Sequence, residues 1–128
     1  MIQPNEIRNV WNWVRQGLLQ VQKKSPENWI PEDIYADLIY QKSMLWFFAE
    51  EQEPVGFAVL QPRQEALHVW AAYAAKTQQL NRAFEIIKKI AKEGQAKRIT
   101  FDSWRKGWER KAKELGFKPR SYSMEIEL

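Results

Sequence analysis

Cysteine is absent from this 128-residue chain, histidine occurs once, at His68, and glycine only five times. Without thiols, disulfides and thiolate chemistry are excluded, which is compatible with a reducing compartment. With a single histidine, a metal site would need mostly carboxylate ligands, and no calcium-loop spacing occurs. Nothing in the sequence supports a Ser-His-Asp nucleophile. No run of ~18 apolar residues is present, so no membrane-spanning helix is expected. The opening "MIQPNEIRNVW" lacks the basic and then apolar pattern of a secretory signal. A soluble intracellular protein, with no membrane partner, is the expectation.

What the chain does have is aromatic bulk and an uneven charge. Seven tryptophans in a chain that is 45% hydrophobic and 28% charged point to large side chains filling one small core or lining a groove. The length suits a single domain, residues 1–128. Residues 1–75 carry six Lys/Arg against nine Asp/Glu, whereas residues 76–120 carry fourteen against five. A basic half attracts phosphates on a cofactor or a nucleic acid, although a solvated basic helix face reads the same way.

Apolar periodicity outlines the elements. Ile7, Val10, Trp11, Val14, Leu18 and Val21 form one helical stripe. Pro4 and Asn5 precede it, and "KKSP" at residues 23–26 is a plausible stop. Pro31, followed by Glu32 and Asp33, opens a second helix with Ile34, Tyr35, Leu38 and Ile39 on its inner face. "SMLWFFAEE", "VGFAVLQP" and "ALHVWAAYA" then read as three antiparallel strands. Gly56 marks close packing or a bulge in the second of them. A long helix from about Thr77 to Glu93 buries Leu80, Ala83, Phe84, Ile87, Ile90 and Ala91, with Gly94 as its C-cap. "KRITFDS" is a fourth strand. A further helix runs through Trp104, Trp108, Ala112 and Leu115 and ends at Gly116. "RSYSMEIEL" alternates, placing Tyr122, Met124, Ile126 and Leu128 on the inner face. The order ααβββαβαβ implies an α/β (α+β) fold with a mixed sheet and helices on both faces.

The half-chain from "EPVGFAVL" onward resembles the GNAT acetyltransferase superfamily. The matched features are the antiparallel meander carrying Val-Gly-Phe, the helix ending "AKEGQ" into a strand, and the short helix ending Leu-Gly-Phe before a last strand. The family's usual first strand is missing or very short. "PEDIYADLIYQKSMLWFF", "LHVWAAYA" and "DSWRKGWERKAKELGFKP" look like small acetyltransferase-like proteins of bacteriophages and prophages. That resemblance implies the cytoplasm of a bacterial host, or association with a virion.

The resemblance also implies a site. Acetyl-CoA's pantetheine arm would lie in a V-shaped opening beside the third meander strand, along Trp70, Ala71, Ala72 and Tyr73, with a strand N–H stabilising the reacting carbonyl. Its pyrophosphate would sit at the head of the following helix, near Lys76, Thr77, Gln78, Gln79 and Asn81, with Arg105 flanking the opening. Two departures accompany this. The family's loop glycines fall at Gln78 and Leu80, where side chains obstruct close approach of a phosphate. The tyrosine that commonly protonates the departing thiolate falls at Ala112, and Tyr122 is the candidate replacement.

His68 is the candidate general base, because an intrinsic pKa of ~6.5 suits taking a proton from an amine. Glu50, Glu51 and Glu65 are alternatives. Three functions are therefore carried forward. The first is an acetyl-CoA-dependent N-acetyltransferase-like protein of phage type, its partners a CoA thioester and an amine-bearing small molecule or protein. The second is a catalytically inactive binding or virion-associated protein of the same fold. The third is a nucleic-acid-binding protein using the basic C-terminal half, where Arg105, Trp104 and Trp108 would form a stacking and phosphate surface.

Overall fold

The computed structural model describes residues 1–23, 29–76, 79–102, 107–118 and 126. A 3-10 turn, Pro4–Glu6, leads into helix α1, Ile7–Gln22, whose expected stripe is buried at Ile7, Val14 and Leu18. Helix α2, Pro31–Ile39, starts at the expected proline. The Ile30 N–H, which has no intrahelical acceptor, donates to the Asp33 carboxylate at 2.9 Å. Gln22 Nε2 donates to the Trp29 carbonyl, tying the end of α1 to the approach to α2. Ile34 and Leu38 are buried as expected, but Ile39 is exposed. At 100° per residue it lies about 120° from the centre of the Ile34–Leu38 stripe and so misses the core.

The meander forms as expected. Strands β1, Met44–Glu50, β2, Glu53–Arg63, and β3, Ala66–Ala74, pair antiparallel. Helix α3, Gln79–Glu93, crosses over to β4, Arg98–Phe101, which runs parallel to β3. The sheet order is β1-β2-β3-β4. The very short first strand is a single bridge, the Ile2 N–H donating to the Leu45 carbonyl at 2.8 Å. Gly56 shows both features expected of it. The β1–β2 register shifts beside it, and a Cβ there would lie 2.4 Å from the Tyr73 carbonyl oxygen.

Because side chains alternate, the sheet has two cores. Under α1 and α2 lie Leu45, Phe57, Val59 and Ala71 with Val14, Leu18, Ile34 and Leu38. On the opposite face Phe48, Ala58, Leu60, Leu67 and Val69 meet Ala83, Phe84, Ile87 and Ala91 of α3. Helix α4, Gly107–Glu114, is held by Phe117 just beyond its end, whose ring contacts Phe84 (5.5 Å) and Phe101 (4.7 Å) edge-on. No described helix is long and apolar enough to cross a membrane.

Both late helices end in the same motif, with bonds Ala96 N–H to Ala91 carbonyl and Phe117 N–H to Ala112 carbonyl at 2.9 Å each. At α4 the left-handed residue is Gly116, as expected. At α3 it is Gln95, φ 62°, and not Gly94. The Ala96–Ala91 bond fixes the left-handed position one residue after the glycine. Ile126, expected on the inner face of a last strand, is 83% exposed. Alternation says which side chains share a face, not whether that face is covered. Trp104, expected on the last helix, and the other residues of that expected strand lie outside the described residues.

Candidate active site

The centre of the sheet carries an irregularity. Val59 pairs with Ala71, but the next residue, Leu60, pairs with Val69. Trp70 is thus the extra residue of a β-bulge, and both Trp70 and Ala71 belong to the core beneath α1. On the other edge of β3, pairing with β4 runs from Ala66↔Arg98 to Val69↔Phe101 and stops there. Strand β3 continues to Ala74. From Trp70 onward its outer edge has no ladder partner among the described residues.

His68 stands on the last regular turn of strand before that bulge. It is 4% exposed, and its Nδ1 is 2.8 Å from Thr100 Oγ1 across the β3–β4 ladder. Its Nε2 is 3.8 Å from Asp102 Oδ2, too far for a hydrogen bond. A cavity of about 250 Å³ opens here, lined by Gln61, Arg63, His68, Trp70 and Asp102.

Two of these residues are held by a relay from α2. The Asp37 carboxylate accepts from Ser43 Oγ (3.4 Å) and Gln61 Nε2 (3.3 Å). Gln61 Oε1 in turn accepts from Arg63 Nε (3.3 Å) and Nη2 (3.0 Å). The guanidinium is thereby fixed at the rim of the cavity.

The expected cofactor residues divide into groups. Trp70 lines the cavity, Ala71 is buried under α1, Ala72 packs on the α3 side, and Tyr73 joins Phe57 and Trp13 in an aromatic cluster. Their side chains are committed to packing, and their backbone lies on the open edge. Lys76 is exposed at the approach to α3, where its N–H donates to Gln79 Oε1 at 3.0 Å. The protein's own side chain therefore occupies one donor at the helix head. Asn81 lines a separate surface cavity with Arg82, Glu85, Lys88, Glu114 and Leu115. Thr77, Gln78, Arg105 and Tyr122 lie outside the described residues.

Of the alternative bases, Glu65 is engaged by Lys97 (3.1 Å) and Arg98 (3.8 Å). Glu50 and Glu51 sit at the β1–β2 turn, at the far end of β2 from Gln61. Sequence reasoning missed Gln61, Arg63, Thr100 and Asp102. Strand alternation does place Gln61 and Arg63 on one face, but only the register Gln61↔His68↔Thr100 shows that they share it with histidine.

The sequence matches no family model and no curated protein. Solved structures do match. A probable acetyltransferase shares 15% identity over 98% of this chain and 95% of its own, with a TM-score of 0.70. A ribosomal-protein-alanine N-acetyltransferase from Brucella melitensis biovar Abortus 2308 shares 12% over 98% and 94%, TM-score 0.67. An aminoglycoside N-acetyltransferase in complex with CoA shares 9% over 94% of each chain, TM-score 0.65. These neighbours are GNAT acetyltransferases, and at such identities the likeness establishes a common fold.

Proposed function

We propose that the protein is an acetyl-CoA-dependent N-acetyltransferase that receives its acceptor amine in the cavity at His68. The observation that supports this most is a coincidence in space. The β3 bulge at Trp70, the end of β3–β4 pairing at Val69↔Phe101, and a buried histidine facing a cavity all meet within one turn of strand.

The open β3 edge fits an extended, amide-bearing arm, because unpaired strand groups offer alternating donors and acceptors. The phosphates would lie toward Lys76 and the head of α3, where dipole and ammonium act together. There Gln79 must release the Lys76 N–H. Acetyl-CoA supplies an acetyl group activated as a thioester when bound.

The protein's part is to orient the amine and move its proton. With Nδ1–H donated to Thr100 Oγ1, the lone pair of His68 sits on Nε2. The amine nitrogen gains the acetyl carbon as the carbon–sulfur bond breaks, one amine proton passes to Nε2, and one proton ends on the CoA sulfur. Asp102 stabilises the imidazolium that forms. Ala112 has no proton to give, so the sulfur draws on the imidazolium or on solvent.

A thermal-shift titration tests this reading, with adenosine 3′,5′-bisphosphate as the control for simple anion binding. Acetyl-CoA at ~100 times its dissociation constant adds about 2.7 kcal/mol, a rise on the order of 10 °C for a chain of this length. Lys76→Glu should weaken acetyl-CoA binding by roughly five- to tenfold, as expected for reversing one partly screened charge near a phosphate. No shift beyond the control at millimolar acetyl-CoA would mean that the fold persists without the chemistry.

A further inference from the structure

We infer that the acceptor is a small amino carboxylate, of the size of a free α-amino acid, whose carboxylate is taken by Arg63 while its amine faces His68 and Asp102. This rests on the acyl-transfer reading above and goes beyond it by naming the acceptor class.

The first argument is the state of Arg63. A guanidinium has five N–H donors. Those on Nε and one on Nη2 go to the amide oxygen of Gln61, and no carboxylate pairs with Arg63 among the described residues. Of the acids nearby, Glu65 is taken by Lys97 and Arg98 and Asp37 by Ser43 and Gln61, while Asp102 lies on the cavity wall 3.8 Å from His68 Nε2. A fixed guanidinium with open donors at the rim of a cavity is a receptor for an anion, with the fork geometry that carboxylates match.

The second argument is distance. Gln61 faces His68 directly across the β2–β3 ladder, and Arg63 folds its guanidinium back onto Gln61. Directly opposed side chains start about 5 Å apart. One small molecule can therefore touch both, and in an α-amino acid the nitrogen and carboxyl carbon are roughly 2.5 Å apart from standard bond lengths.

Size and charge complete the case. A cavity of about 250 Å³ has room for a free amino acid. Its walls carry one carboxylate, Asp102, and one fixed cation, Arg63. That balance suits a zwitterion. A polycation such as an aminoglycoside would meet Arg63 repulsively, and a peptide N-terminus would leave it unpaired.

The test measures CoA thiol release with a panel of free α-amino acids, their carboxamides, the corresponding decarboxylated amines and an aminoglycoside. Each turnover should yield one N-acetyl amino acid, one CoA thiol and one proton. The best amino acid should exceed its carboxamide in kcat/KM by about 10- to 100-fold, the range of a charge-assisted hydrogen-bonded pair. Arg63→Met should shrink that ratio to below about threefold, mainly through KM.

Amides or aminoglycosides used as well as free amino acids would overturn the inference, as would a ratio that survives Arg63→Met. Calorimetry with acetyl-CoA separates the two levels. Absence of acetyl-CoA binding removes the acyl-transfer reading and this inference with it. If acetyl-CoA binds but no acceptor releases thiol, amino acids should still shift the His68 ring resonances of the acetyl-CoA complex. Their failure to do so refutes the acceptor class alone.

Discussion

His68 Nδ1 and Thr100 Oγ1 lie 2.8 Å apart on facing rungs of β3 and β4. A hydroxyl both donates and accepts, so the contact holds the ring in place in either tautomer; the proposed base role of Nε2 belongs to the one in which the hydroxyl accepts from Nδ1–H. It also links the two strands one pair before their pairing ends at Val69↔Phe101.

Replacing His68 with Gln should lower kcat by about 10²- to 10⁴-fold, the usual contribution of a positioned base. In the unsubstituted protein, activity should rise with pH as the imidazole loses its proton, because only the neutral ring accepts one. Thr100→Val should lower activity less and change the apparent pKa of that rise. A pH–rate profile of the three proteins checks both points, and a flat profile in the unsubstituted protein would remove His68 from the chemistry.

Glu32 on α2 accepts from Arg15 Nε of α1 at 3.0 Å. That hydrogen bond, followed by one from its own backbone N–H, holds its carboxyl below the ordinary 4.5. The folded-state pKa is therefore below the unfolded one. The pair's contribution is present above the unfolded value and lost as pH falls through the folded value. Both side chains are substantially exposed, so the effect is small and salt-sensitive. Thermal denaturation should show a slight deficit in Glu32→Gln at neutral pH that disappears as pH falls through the lowered folded-state value. A deficit independent of pH would assign Glu32 another role.

Gly17 is where α1 comes closest to the sheet. A Cβ there would lie 2.5 Å from Phe57 Cε2 and 3.1 Å from Tyr73 Cδ1, against two rings packed on each other at 5.6 Å. Gly17→Ala should cost about 1–3 kcal/mol despite alanine's better helix propensity, a loss of roughly 4–11 °C in Tm. A neutral or raised Tm would show that α1 can lift off the sheet freely.

The matched helix ends give a paired test. Gln95 adopts φ 62° where Gly116 adopts φ 93°. Gln95→Gly should stabilise by about 0.5–1 kcal/mol, the left-handed cost less glycine's extra chain entropy. Gly116→Ala should destabilise by about 1 kcal/mol for the same reason reversed. Chemical denaturation of both variants measures the two signs independently.

Local signals in the sequence went a long way. Periodicity located α1, α2 and α3, Pro31 marked a helix start, and the alternating runs located the four described strands. These features depend on neighbours three or four residues away, or two in a strand, and so are visible in the string itself. His68 stood out as a candidate base simply because it is the only histidine.

What tertiary structure decided is register. Gln61, Arg63, His68 and Asp102 come from β2, β3 and the residue just after β4, and strand pairing brings them to one cavity. The bulge at Trp70 is equally silent in sequence, because an extra residue is defined only against a partner strand. A one-residue slip in either ladder would turn His68 away from Gln61 and Thr100. The fold is therefore determined largely by short-range patterns, whereas the site is determined by long-range pairings that no local pattern encodes.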